Sequence, residues 1–389
     1  MQFAKKSLVA PSATVEMNTL AIKKKNAGDI VYNLSVGEPM LPTPDLILSG
    51  ANDAMRRGET HYPPVAGISE LCRVSSQWMN RTYGTAYTEK QTLVTCGGKH
   101  GVCMALQALI EDGDEAILIA PFWVSYISLV QLFGGVPRVV ETEEANGWRA
   151  RPGDIERLCS ARTKVLILNN GANPTGALYT RDELRAMLEV AREHNLIVIS
   201  DEVYSGLVYD GREYVSCGSF AEYTDRVVII QSCSKNFAMT GWRVGFAFGP
   251  EELIGVMTTL QGQSTTGTST VSQWAAVAGF GDADRITGDI RAAMQARRDF
   301  FVKTFRGLFQ TDIFLPPAAL YSFIPIQSLG SDETDSTAFC LRALEGGNVG
   351  LVPGAAFGQE GYIRASFGGT EAQIDEGLAA LHRFIHFRG

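Results

Sequence analysis

Between residues 93 and 232 the chain alternates short apolar runs with stretches whose apolar positions recur every three or four residues. The runs AILIAP (116–121), KVLILNN (164–170), LIVISDE (196–202) and RVVIIQS (226–232) are short and rich in β-branched residues, which predicts buried strands. Residues 93–95 read as the end of another strand, followed by Gly97-Gly98 and the helix-like HGVCMALQALIEDGD (100–114). TRDELRAMLEVAREHN (180–195) predicts an amphipathic helix, with Thr180 and Glu183 spaced as a capping box. Repeated strand–helix–strand order predicts an α/β fold: a three-layer arrangement with a mostly parallel or mixed sheet. Ligands of such sheets bind at the carboxyl ends of the strands. Every unusual motif in this chain follows one of those runs.

The pattern changes after about residue 283. DRITGDIRAAMQARRDFFVKTFRGLF (284–309) is a long amphipathic helical stretch, and strand-like ALYSFIPI (319–326), VGLVPG (349–354) and YIRASF (362–367) follow. TEAQIDEGLAALHRFIHF (370–387) predicts a capped closing helix, apolar on one face. This α+β character implies a smaller second domain. The change of pattern puts a large domain at 44–282, with 1–43 and 283–389 forming the small one. No repeat or low-complexity linker marks the boundary.

A length of 389 residues allows two or three domains, and a net charge of −8 argues against a nucleic-acid partner, which needs a basic surface. No apolar run is long enough to span a bilayer, so no membrane partner is expected. The first residues carry basic side chains but no apolar segment of the export type, so no export signal is expected. The seven cysteines are odd in number and scattered, with no CxxC pair. That reads as reduced thiols in a cytoplasmic compartment and not as a disulfide framework or a metal site.

The chemistry concentrates in SCSKNFAMTGWRVG (232–245). Lys235 stands among hydroxyl residues and Arg243 follows ahead of a glycine. A lysine condenses with an aldehyde and an arginine forks onto a phosphate. Pyridoxal 5′-phosphate carries both groups. Three further motifs supply what that cofactor needs: GGKHG (97–101), NPTG (173–176) and DEVY (201–204). A buried carboxylate at Asp201 would keep the pyridine nitrogen protonated. Asn173 and Tyr204 offer donors to the phenolic oxygen. Gly98 and Lys99 offer backbone N–H groups to a phosphate, with Ser232, Ser234 and Arg243 as side-chain partners. Trp123, in PFWVSY (121–126), is a candidate for stacking on the ring.

With these motifs in view, the chain resembles the class I/II aminotransferases of the aspartate aminotransferase family, fold-type I pyridoxal-phosphate enzymes. The likeness covers nearly the whole sequence through SVGEP (35–39), HYPPVAGISEL (61–71), TCGGKHG (95–101), PFWVSY, NPTG, SDEVY (200–204), SKNFAMTGWRVG (234–245) and YIRASFG (362–368), and is strongest to the bacterial aspartate subgroup. The resemblance implies transamination between an amino acid, L-aspartate first, and a 2-oxo acid such as 2-oxoglutarate. Lys235 resembles the lysine that bonds to the cofactor aldehyde and moves a proton between Cα and C4′. Asp201 resembles the pyridinium partner, Tyr204 and Asn173 the phenolic-oxygen partners, and Trp123 the stacking ring. Gly98, Lys99, Ser232, Ser234 and Arg243 resemble the phosphate cup. Arg364 is similar to the arginine that grips the substrate α-carboxylate, helped by Asn173 and the Gly37 backbone. Tyr62 is similar to a tyrosine that reaches the phosphate of a neighbouring subunit, which implies a homodimer with shared sites.

Two departures bear on specificity. The segment QSTTGTST (263–270) lacks the arginine that animal-type relatives use for the second carboxylate of aspartate, so the side-chain preference stays open. Ala10 is small where some bacterial relatives carry a lysine implicated in accepting prephenate, which speaks against prephenate activity here. Other amino donors, such as aromatic amino acids or alanine, and other reactions of the same cofactor cup, lyase or synthase, remain open at this level. Residues 232–235 also spell S-x-x-K, but the S-D-N and K-T-G strings of the serine–lysine enzymes are absent from the sequence.

Overall fold

The structure, a computed structural model, describes Val9 and residues 11–386. Ala10 lies outside the described residues. The strands are β1 (Tyr32–Asn33), β2 (Thr92–Thr95), β3 (Glu115–Ile119), β4 (Val136–Val140), β5 (Thr163–Asn169), β6 (Ile197–Asp201), β7 (Val227–Ser232), β8 (Gly245–Phe248), β9 (Tyr321–Pro325), β10 (Val349–Gly350), β11 (Val352–Pro353) and β12 (Tyr362–Ser366). Seven of them form one sheet in the order β2-β8-β7-β6-β5-β3-β4. The expected runs at 116–121, 164–170, 196–202 and 226–232 are its central strands. Every residue of β6 and β7 is buried or nearly so, which is why those segments read as continuous apolar runs.

Neighbouring pairs are parallel except at β8, which runs antiparallel to both β2 and β7. Six carboxyl ends therefore meet along one edge, and the amino end of β8 meets them there. Between β3 and β5 the chain's winding reverses, since β4 lies outward of β3 while β6 and β7 lie on the other side. Such a switch point opens a crevice at the strand ends. The β8 start closes it from below. A Cβ added at Gly245 would stand 2.5 Å from the Gly97 carbonyl carbon and 2.6 Å from the Gly98 nitrogen. Only a glycine lets β8 pass that close under the turn that follows β2.

Helices cover both faces. The helix Arg181–Glu193 begins at the expected box: Thr180 Oγ1 accepts from Glu183 N at 3.3 Å, and the Glu183 carboxylate accepts from Thr180 N at 2.8 Å. The helix expected over 100–114 starts earlier and stops at Leu109. Gly113, at φ +90°, turns the remainder into the loop that feeds β3. The long stretch at 284–309 is one helix, Ala283–Phe309. The closing helix Glu371–His386 carries its cap in Thr370 and Gln373, which bond each other's backbone N–H at 3.2 and 2.9 Å. A three-stranded antiparallel sheet, β11-β12-β9, stands beside the large sheet, and β1 pairs in parallel with β10. VGLVPG is thus two strands with different partners. The seven cysteines are free thiols, and among the described residues no helix is long and apolar enough to cross a membrane.

Candidate active site

Strand ends and turns at the carboxyl edge of the large sheet, with residues of the early chain and of β9 and β12, line a cavity of about 300 Å³. Gly37, Gly98, Lys99, Trp123, Asn173, Asp201, Tyr204, Ser232, Ser234, Lys235, Arg243 and Arg364 all line it. Twelve of the thirteen residues singled out by sequence thus come together. Tyr62 does not: it stands 92 % exposed beside a separate cavity lined by Thr265–Val271.

Asp201 ends β6 and is 5 % exposed. Tyr126 donates to its Oδ2 at 2.6 Å. Burial pushes the carboxyl up to about 6, against the lowering effect of that hydrogen bond. Successive side chains of an extended chain point to opposite sides. Glu202 accordingly turns away from the cleft and accepts from Ser200 Oγ and Cys217 N at 2.8 and 2.9 Å. Of the two adjacent acids, only Asp201 faces the cavity.

Lys235 sits in the short helix Cys233–Asn236 that follows β7. Its ammonium donates to the Gly37 carbonyl. Burial lowers it from 10.5 to about 8; the Arg364 and Arg243 charges act in the same sense, and Glu38 opposes them. Arg243 is bound through Thr240 O at 2.7 Å and Cys96 O at 3.3 Å, with its backbone in the left-handed region at φ +56°. A non-glycine residue there is uncommon. Among the described residues Arg243 forms no ion pair, which removes the salt-bridge explanation of its presence. Ser232 Oγ donates to Ser234 Oγ at 2.9 Å. Opposite them the helix Gly98–Leu109 begins, and its first N–H groups lack helical partners, as at any helix start.

Arg364 lies on β12 and is 1 % exposed. It donates to Asn173 Oδ1 at 3.0 Å and to Ser35 O at 2.7 Å, while its Nε is buried without a partner. No carboxylate pairs with it among the described residues. Lys99 lies over the Trp123 ring, 5.0 Å from its centroid, and burial and then Arg243 lower its pKa. Burial raises the Tyr204 hydroxyl well above the usual tyrosine range, so it keeps its proton.

Asn169, Tyr126, Thr14 and Tyr321 are among the lining or supporting residues that the sequence did not single out. Asn169 accepts from Asn173 N at 2.8 Å and donates to Asp201 O at 2.9 Å, tying two motifs together. Tyr126 fixes Asp201. Thr14 lines the cavity with a buried hydroxyl that has no partner. Tyr321 lines it between Tyr204 and Arg364. Tyr126 lies in PFWVSY, Asn169 in KVLILNN and Tyr321 in ALYSFIPI, but none of those patterns marks its residue for the site.

The profile of the family described as aminotransferase class I and II matches residues 29–381. The chain is 35% identical to the aspartate/prephenate aminotransferase of Thermus thermophilus, over 97% of this chain and 96% of that one. It is 34% identical to the aspartate aminotransferase of Geobacillus stearothermophilus over 100% of both. The solved structure of Thermus thermophilus aspartate aminotransferase with maleate superposes with a TM-score of 0.94 at 33% identity, covering 99% of this chain and 100% of that one. The chain therefore belongs to the class I and II aminotransferases, enzymes that depend on pyridoxal 5′-phosphate.

Proposed function

We propose that this chain transfers the amino group of L-aspartate to 2-oxoglutarate. The observation that carries the reading is one cleft holding a half-buried amine, a buried acid and a buried guanidinium without a counter-charge: Lys235, Asp201 and Arg364. These residues fit pyridoxal phosphate. Asp201 has no cation against it among the described residues, and Arg364 Nε waits for an acceptor. When bound, the cofactor draws electrons from the Cα of an amino acid joined to it.

The protein's own groups divide the remaining work. Asp201 holds the proton on the ring nitrogen, since a buried anion favours a charged neighbour. Tyr204 and Asn173 donate to the phenolic oxygen. The Gly98 and Lys99 N–H groups, with Ser232, Ser234 and Arg243, receive the phosphate. Trp123 covers the ring face. Lys235 would hold the cofactor's aldehyde, and with its pKa lowered to about 8 a large fraction of the free amine would be neutral near pH 8 and able to move a proton at the substrate Cα. Arg364 and Asn173 orient the α-carboxylate, with the Gly37 backbone beside them.

A second carboxylate on the substrate would meet the Lys99 ammonium and the unpartnered Thr14 hydroxyl, both in the cavity lining. That favours a dicarboxylic substrate although 263–270 carries no arginine. The names of the relatives point the same way.

Exposed Tyr62 supports a homodimer in which it serves the partner's phosphate, because its own cleft leaves it unused. We place the chain in the cytoplasm, with a large domain at 44–282 and a small one at 1–43 plus 283–389. The β1–β10 pairing, which joins the early chain to the late chain, supports that division. A panel of amino donors against 2-oxoglutarate, read as kcat/KM, tests the substrate. Aspartate is expected to lead. An aromatic amino acid or alanine ahead of it, or no gain on adding the oxo acid, would reject the assignment.

A further inference from the structure

Tyr321 lies on β9, 117 residues from Tyr204 along the chain, and is 2 % exposed. One side chain there touches three groups with separate tasks. Its hydroxyl stands 2.7 Å from the Tyr204 hydroxyl. The same hydroxyl lies 3.4 Å from Gly37 O, the carbonyl that accepts from Lys235. Its ring carries the Arg364 guanidinium, 4.2 Å from the centroid. The fit is tight: a Cβ added at Gly37 would stand 2.5 Å from the Tyr321 oxygen.

The distances rank these contacts. A hydroxyl has one proton to give. Either hydroxyl can donate across the 2.7 Å contact, and because the 3.4 Å contact to Gly37 O is marginal, the Tyr321 proton is available to the Tyr204 oxygen. A hydroxyl that accepts a hydrogen bond becomes a better donor itself. A guanidinium over an aromatic face is held in place while its edge stays free for a carboxylate.

We propose that Tyr321 is a positioning residue: its hydroxyl aims the Tyr204 proton at the cofactor's phenolic oxygen, and its ring holds Arg364 ready for the substrate carboxylate. This rests on the aminotransferase reading above. The two tasks use different parts of the side chain, so two substitutions separate them.

The test compares wild-type, Tyr321→Phe and Tyr321→Leu holoenzymes. The probes are the pH titration of the cofactor's visible absorption and its perturbation by maleate, a dicarboxylate with neither amine nor oxo group. Tyr321→Phe keeps the ring, so maleate binds within about threefold of wild type. It loses the hydroxyl, so the phenolic oxygen holds more negative charge and retains the neighbouring chromophore proton more strongly. The chromophore pKa is expected to rise by about 0.5 to 1 unit, and kcat to fall about fivefold. Tyr321→Leu loses the ring as well, and maleate weakens about tenfold; the Phe357 ring, 5.2 Å from the guanidinium carbon, keeps the loss from being larger. A Tyr321→Phe chromophore within about 0.2 unit of wild type overturns the proposal. So does equal maleate affinity in the two variants. The titration needs no turnover, so a wild-type enzyme that ignored aspartate would count against the substrate assignment alone.

Discussion

Replacing Arg364 by leucine separates what the residue does for substrate from what it does for the fold. Its guanidinium is 1 % exposed and no carboxylate faces it among the described residues. A buried cation without a counter-charge costs several kcal/mol. Burial accordingly lowers its pKa. Leucine removes that cost and leaves two acceptors, Asn173 Oδ1 and Ser35 O, without their donor. Each loss is about 1–3 kcal/mol, so the two effects offset. About 1 kcal/mol moves the melting point of a chain this large by roughly 2 °C. The substrate-free variant should therefore melt within about 3 °C of wild type. Substrate binding has no such compensation. Losing a buried, charge-assisted contact costs about 2–5 kcal/mol, or roughly 30- to 5,000-fold in kcat/KM. Paired thermal melts with and without maleate, alongside steady-state rates, read both quantities. Maleate should stabilise wild type and leave the variant unmoved, with cofactor absorbance intact in both. Equal stabilisation of the two proteins, or a substrate-free variant melting more than about 10 °C lower, would refute the argument.

Three further outcomes are expected. Asp201→Ala should slow proton abstraction at Cα at least a hundredfold in single-turnover measurements, since the proposed charge partner of the ring nitrogen is lost; an unchanged rate removes the electron-sink role. With Lys235 at about 8 instead of 10.5, roughly a tenth of it is neutral at pH 7, against about 3 in 10,000 for an ordinary lysine. Capture of added cofactor by the cofactor-free protein should therefore quicken about tenfold per pH unit below that value and level off above it; a rise continuing to pH 10 contradicts the burial argument. Gly245→Ala should weaken cofactor binding about ten- to a hundredfold in equilibrium dialysis, because the new methyl meets backbone at Gly97 and Gly98, which must shift; wild-type affinity would show that the loop moves freely.

The central strands were legible because both faces of β5, β6 and β7 are buried and the code is simply apolar. The antiparallel course of β8 was not, since VGFAFG reads the same in either direction and pairing alone fixes it. Helices such as Asp45–Arg56 and Thr270–Phe280 went unread. The second is rich in alanine, glycine and serine, small residues that pack closely without a bold apolar stripe. Residues at strand ends could be found because the carboxyl edge of such a sheet is where ligands bind. Tyr321, at the start of β9, had no such signal, and Asn169 ends β5 without standing in a motif of its own. Their importance lies in partners supplied by distant segments, Tyr204 and Arg364 for the first and the Asp201 backbone for the second. Thr14 shows itself only as a hydroxyl buried without a partner. Tyr62 is exposed and does not line its own cleft, so the role proposed for it needs a second subunit.

The measurement closest to the heart of this account is reduction of the holoenzyme with borohydride, followed by digestion and peptide mass mapping. A pyridoxyl adduct should appear on Lys235 at about one per chain, and be absent from Lys235→Ala. An adduct on Lys99 or another lysine, or none in cofactor-saturated protein, would contradict it.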